Sequence, residues 1–271
     1  MPKRTVNGTE LHYEEAGRGP ETIVFSHGFA WSGRMFAAQV AALQERYRCI
    51  TFDHRGQGQS ATSPVPYDME LLAEDAAALI VELGAAPCHF VGLSMGGFIG
   101  LRLALRRREL LRSLVLVDSA ADGEPRWNAP KYRAMVLVMR LFGQRVLLGA
   151  IEKIMFGGPF RTDPARKAER LALQAQLLAL EPARTQAALE AVVSRRSVEA
   201  ELGRITTPTM VLAGAEDAAV IPARARRTAE AIPGARYVEI PRAGHTSTVE
   251  EPAAVTAALA SFFETLALAP P

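Results

Sequence analysis

The chain has 271 residues, of which 49% are hydrophobic and 22% charged. That balance excludes a disordered, collagen-like or disulfide-stapled chain and leaves room for a large core. A formal net charge of +2 gives no footprint for nucleic acid, and no run of about 18 apolar residues exists to span a bilayer. The opening residues Met1-Pro2-Lys3-Arg4-Thr5 carry no apolar signal region. Cys49 and Cys88 have no metal-ligand spacing. The expectation is a reduced, cytoplasmic protein, monomer or homodimer, with neither a membrane nor a nucleic-acid partner.

In chain order, the first element reads as a hairpin: Val6 and Leu11-His12-Tyr13 flank Asn7-Gly8, a turn pair that tolerates positive φ. Short apolar runs stopped by polar and glycine residues follow at 22–25 and 48–52, as buried parallel strands require. Tyr67-Asp68 opens a helix over 69–83, with Leu72, Ala76, Leu79, Ile80 and Leu83 as its apolar stripe and Gly84 as its stop. A strand at 88–91, a glycine-rich turn, a helix to about Arg107 and a strand at 114–117 continue the alternation. From 120 to 203 the pattern is helical only, over 132–142, 145–156, 164–180 and 182–195. Strands return at 209–213 and 237–240, with helices over 223–231 and through Val255, Leu259, Phe262 and Leu266. The sum is an α/β chain, with an about eight-stranded, mostly parallel sheet covered on both faces and interrupted by one helical insertion.

The sharpest chemical signal is Gly92-Leu93-Ser94-Met95-Gly96, a G-x-S-x-G with a strand before it and a helix after. A nucleophile on such a turn sits in strained backbone, and neighbouring elements press so closely that only small residues fit two positions either side. A serine hydroxyl needs a base. His245, in the loop after the last strand, is the candidate, because sites in open α/β sheets gather at the carboxyl edge. His27 reads as a shaper of the loop beside the nucleophile and His54 as structural, while His12 and His89 read as packing or surface residues. The imidazole in turn needs an acid that fixes its tautomer. Asp217, just past the strand ending at Ala213, is favoured over its rival Asp118 and over the adjacent Glu216. The oxyanion donors should be the backbone N–H groups of Met95 and Phe29.

These pieces together resemble the α/β-hydrolase fold family. The matching stretches are His27-Gly28-Phe29, Asp53-His54-Arg55-Gly56-Gln57-Gly58-Gln59-Ser60, Gly92 to Gly97, Gly214-Ala215-Glu216-Asp217 and Ala243-Gly244-His245, in family order across essentially the whole chain. The resemblance is strongest to the esterase and 3-oxoadipate enol-lactonase branch. It implies a core of residues 1–119 and 204–271 and a helical cap of residues 120–203 over the site. The activity expected is hydrolysis of a small-molecule carboxylic ester or lactone by Ser94, His245 and Asp217 through an acyl-enzyme, with no metal or cofactor. The same machinery could serve a carbon–carbon bond hydrolase, an amidase or a cofactor-free perhydrolase, and a ligand receptor stands behind these. The family's strand order also places Cys49 and Cys88 two strand spacings apart, on the order of 10 Å. That exceeds the reach of a disulfide, so two free thiols are expected.

Within the insertion, Met135, Met139 and Met155 are candidates to line a substrate tunnel or the insertion's own core, and Trp31 and Trp127 are candidate pocket aromatics. Arg133 and Arg140 could hold an anionic group but more commonly face water. Gly56-Gln57-Gly58 reads as a structural turn and not a phosphate loop, and Arg106-Arg107-Arg108 as a solvated helix end. The insertion carries a net charge of about +4 against about −2 for the rest, a weak hint of anionic substrates.

Overall fold

The structure, a computed structural model, describes residues 2–63, 66–125 and 127–267, without the side chains of 182 and 183. The chain runs β1 (Lys3–Val6), β2 (Thr9–Ala16), β3 (Glu21–Ser26), α1 (Ala37–Leu43), β4 (Tyr47–Phe52), α2 (Met69–Glu82), β5 (Cys88–Leu93), α3 (Met95–Arg106) and β6 (Leu111–Val117). Among the described residues five α-helices follow: α4 (Asn128–Phe142), α5 (Leu148–Met155), α6 (Gly158–Thr162), α7 (Lys167–Leu178) and α8 (Pro182–Val193). The alternation then resumes with β7 (Thr209–Gly214), α9 (Pro222–Ala231), β8 (Arg236–Ile240), α10 (Ser247–Glu250) and α11 (Pro252–Ala267).

Among the described residues eight strands form one sheet in the order β1-β2-β4-β3-β5-β6-β7-β8. β1 and β2 are antiparallel, and β4 to β8 run parallel with β3 among them. The hairpin turn has φ of 45° at Asn7 and 74° at Gly8, the left-handed pair that matches the twist of two flanking strands. Successive strand residues feed opposite faces. Val24, Ile50, Phe90 and Leu116 pack with Leu72 of α2 and Ile99 of α3. Ile23, Phe25, Val91 and Val115 pack with Leu43 of α1 and Val255, Leu259 and Phe263 of α11. β5 and β7 are buried at every position, and burial on both faces explains why they are mostly apolar rather than alternating.

Asp68 caps α2 by accepting from the Leu71 N–H at 2.9 Å. α1 and α6 escape the sequence pattern because each is short, and α1 buries only Gln39 and Leu43. β6 starts three residues before the expected run. Its polar Ser113 is buried against His89 of β5, an alignment that local propensity does not encode. β3 lies between β4 and β5, so Cys49 and Cys88 sit on non-adjacent strands as free, buried thiols, and burial pushes each up to about 12.

Among the described residues between β6 and β7 there are helices and no strands. The two ends of this segment are tied together, Val198 N–H donating to the Ala121 carbonyl at 2.9 Å and the buried Arg195 meeting Glu124 at 3.0 Å. Arg224 of α9 anchors the same corner through a two-pronged pair with Asp122. No helix among the described residues is long and apolar enough to cross a membrane.

Candidate active site

β5 delivers Ser94 to the carboxyl edge of the sheet and turns sharply into α3. The turn requires φ 51° and ψ −108° at Ser94, a left-handed conformation that non-glycine residues adopt only under constraint. The constraint is visible on both sides. The Ser94 N–H donates to the Val117 carbonyl at 2.8 Å, and the Ser119 hydroxyl donates to the Ser94 carbonyl at 2.9 Å. A Cβ on Gly92 would lie 2.2 Å from the Gly96 carbonyl oxygen, and one on Gly96 would lie 2.0 Å from that of Ser26. Both glycines therefore serve close approach.

Residues from three distant loops meet here. Nδ1 of His245 lies 2.8 Å from Oδ2 of Asp217, and Nε2 lies 2.9 Å from Oγ of Ser94. A carboxylate can only accept, so Nδ1 carries the proton and Nε2 presents its lone pair to the hydroxyl. The other Asp217 oxygen accepts from Ala219 N–H at 2.8 Å and Val220 N–H at 2.9 Å, which fixes the carboxylate's aim. All three side chains are buried. Burial pushes the imidazole down, but Asp217, and after it Asp118 and Glu250, more than offset this and hold His245 above the ordinary 6.5. The arrangement can draw a proton from Ser94 and keep the resulting imidazolium beside a carboxylate.

Asp118 occupies a different place. Its oxygens accept from Gly214 N–H at 2.8 Å and Ser247 N–H at 3.0 Å. Burial and then the charge of Asp217 push it up to about 7. Glu216 turns away to accept from Gly158 N–H. His27 is wholly buried, with Nδ1 2.7 Å from the Gly28 carbonyl and Nε2 accepting from His54 N–H at 3.0 Å. His54 in turn meets Ser26 Oγ at 3.0 Å, and burial holds both rings below the usual histidine range. His12 and His89 are buried packing residues, meeting Asp53 and Ser113.

The loop after β3 runs beside the Ser94 turn. Neither the Phe29 nor the Met95 N–H has an intramolecular acceptor among the described residues. Gln57 holds this loop to the turn, its Oε1 accepting from Ala30 N–H at 3.1 Å and its Nε2 reaching Met95 Sδ at 3.6 Å. The glycines around Gln57 signal only a turn, so its bridging role is not visible in sequence. Among the described residues no group of three or more His, Cys, Asp or Glu side chains converges as a metal site.

Ser94 and His245 open into a cavity between the sheet edge and the helical segment. Phe29 and Trp31 wall it from the core, and Met135, Met139 and Met155 with Ile151, Leu180 and Leu189 wall it from the helical segment. Trp127 departs from expectation. It precedes α4 on the outside, is 80% exposed, and is absent from the cavity wall. Trp127→Ala is therefore expected to leave kcat and KM within about twofold, checked by steady-state kinetics. Arg133 and Arg140 also face outward, against Glu190 and Gln186. The cation in the described wall is Arg195, which is paired with Glu124 and stacked 4.0 Å over Phe98.

A family model described as alpha/beta hydrolase fold matches residues 21–252. The protein named "Putative carbamate hydrolase RutD" of Pseudomonas syringae pv. syringae (strain B728a) is 33% identical over 266 residues, 94% of this chain and 98% of its own. Among solved structures, the enol-lactonase from Burkholderia xenovorans LB400 superposes with a TM-score of 0.87 at 32% identity, covering 97% of this chain and 100% of that one. A thermophilic esterase from Thermogutta terrifontis superposes with a TM-score of 0.89 at 27% identity, covering 98% of each.

Proposed function

Because the chain belongs to the alpha/beta hydrolase fold family, we propose that it is a serine hydrolase that cleaves a carboxylic ester or lactone under a helical lid. The observation that carries this reading is the unbroken relay Ser94–His245–Asp217, with links of 2.9 and 2.8 Å, at the floor of an apolar cavity. His245 takes the Ser94 proton as Oγ attacks the carbonyl carbon. The tetrahedral oxyanion accepts from the Phe29 and Met95 N–H groups, each worth roughly 3 kcal/mol. The imidazolium then protonates the leaving alcohol, and the neutral ring activates water to release the acyl group from Ser94. In a lactone the alcohol and acyl parts stay in one product.

The test is a fluorophosphonate probe followed by peptide mass spectrometry, alongside turnover of p-nitrophenyl esters. Phosphonylation at Ser94 with parallel loss of turnover is expected. An unlabelled Ser94 overturns the reading and favours a ligand receptor.

The wall chemistry favours esters with an apolar part over small polar carbamates, which would leave methionine, leucine and isoleucine unfilled. Each methylene buried there is worth about 0.8 kcal/mol. Going from p-nitrophenyl acetate to hexanoate should therefore raise kcat/KM by at least about tenfold. A flat or falling series would place the acyl chain outside the cavity.

A further inference from the structure

Two buried carboxylates outside the relay surround the His245 loop. Glu250, 1% exposed, accepts from Gly244 N–H at 3.0 Å and from Thr246 N–H at 3.1 Å, the residues on either side of His245. The Thr246 hydroxyl lies 3.0 Å from the same carboxylate, and Gly157 N–H, between α5 and α6, donates to it at 2.7 Å. Asp118, fully buried, accepts from Ser247 N–H and from Gly214 N–H at the end of β7. His245 N–H itself donates to the Met155 carbonyl at 3.1 Å. Every backbone N–H from 244 to 247 is thus spoken for, three of them by carboxylates and one by the helical segment.

We propose that Glu250 and Asp118 are positioning residues for His245: they clamp its loop to β7 and to the helical segment, and when ionised they add negative charge about the ring besides that of Asp217. The proposal rests on the reading of His245 as the general base.

Burying two carboxylates is expensive unless each finds donors. Here the donors are the backbone groups whose positions decide where Nε2 points, so the expense is tied to the base's geometry. Burial raises both acids above their ordinary values, Asp118 to about 7, with several of these hydrogen bonds pulling them back down. The charged groups acting on the ring are Asp217 from the loop after β7, Asp118 from the end of β6 and Glu250 from α10, and all three favour the imidazolium. Removing one anion therefore lowers the pH at which His245 loses its proton. Because only the neutral ring can act as base, the acid limb of the pH–rate profile follows it downward.

The Glu250–Gly157 contact has a second consequence. It joins the base loop to the connection between α5 and α6, so the helical segment and the base are held by one carboxylate. An amide in its place offers one acceptor oxygen and turns an N–H pair against backbone donors. Nε2 then loses its aim at Ser94, and misplacement of about 1 Å is enough to cost up to about a hundredfold in rate.

The experiment compares wild type, Glu250→Gln and Asp118→Asn in kcat/KM against pH with p-nitrophenyl hexanoate, from about pH 5 to 10. Glu250→Gln is expected to move the acid limb to lower pH by about half a unit, and Asp118→Asn to move it by less, because Asp118, pushed up to about 7, is itself largely protonated along that limb. Glu250→Gln should also lower kcat at its plateau by at least about tenfold, with KM within about threefold. A purely structural role would lower the amount of folded enzyme without moving the limb. Limbs that superpose on the wild type in both variants overturn the proposal. If Glu250→Gln does not fold, Asp118→Asn decides: a plateau kcat equal to the wild type together with an unmoved limb overturns the proposal. Fluorophosphonate labelling of the wild type is run beside it. An unlabelled wild type overturns the underlying reading, whereas a labelled wild type with unmoved variant limbs overturns only this proposal.

Discussion

Replacing Ser94 with alanine is expected to lower kcat for a p-nitrophenyl ester by about five orders of magnitude, with KM and thermal stability little changed. The size follows from the relay acting as a unit. Without Oγ, the lone pair that His245 aims at 2.9 Å has no proton to take, and only cavity binding and the two backbone donors remain to act on a water attack. The fold should survive because the Ser94 turn is held by its own backbone. The Val117 carbonyl and the Ser119 hydroxyl engage the Ser94 main chain, not its side chain. Purified Ser94→Ala assayed at high enzyme concentration, with circular dichroism in parallel, checks both halves. Activity above about one percent would identify another nucleophile.

The largest expected effect on stability comes from Gly96→Ala. The new Cβ would stand 2.0 Å from the Ser26 carbonyl oxygen and 2.7 Å from both the carbonyl carbon and Oγ of Ser26. The first two are backbone atoms of a central strand and cannot swing aside as a side-chain tip would. Either α3 lifts off the sheet or the end of β3 moves, and the second route also drags the loop that carries Phe29. A loss of about 3 to 5 kcal/mol is expected. For a chain of this size that is a fall of roughly 6 to 20 °C in the melting midpoint. Gly149→Ala is the control. Gly149 lies in α5 with nothing within 4 Å of an added Cβ, so alanine there should stabilise by up to about 1 kcal/mol. A melting curve for Gly96→Ala that overlays the wild type would mean that the sheet edge yields more easily than its packing implies.

The parts of the site legible in sequence are those whose chemistry is local. Gly92-Leu93-Ser94-Met95-Gly96 is readable because a strand-to-helix turn under tight packing forces small residues two positions from the serine. Asp217 and His245 are readable as residues just beyond strand ends. That placement does not separate Asp217 from Asp118, since both are acids at the carboxyl edge of the sheet. The difference lies in which backbone donors reach each one. Asp217 is aimed by Ala219 and Val220, two and three residues ahead in its own loop. Asp118 is taken up by Ser247, 129 residues away. Glu250 reads as an unremarkable acid before Pro252, because three of its donors are backbone N–H groups, which every residue but proline carries.

The helical segment shows the same division. Its helices are visible from periodicity, and Met135 and Met139 do face the cavity. Trp127 faces outward, and the buried side of the helix it joins is decided by packing against α8. The basic surplus of the segment is carried in part by Arg133 and Arg140 on its outer surface, while the arginine in the cavity wall is neutralised by Glu124.

By itself, then, the amino-acid sequence determined the strands, the longer helices, the strained serine turn and the candidate members of the relay. Each of these follows from hydrophobic period, turn chemistry or steric exclusion acting over a few residues. Tertiary structure alone decided which two carboxylates hold the His245 loop and what the cavity wall is made of. Those outcomes depend on contacts between residues tens to more than a hundred positions apart, such as Asp118 and Ser247 at a separation of 129. At that range the partner is chosen by strand order and loop path, and no local pattern carries it.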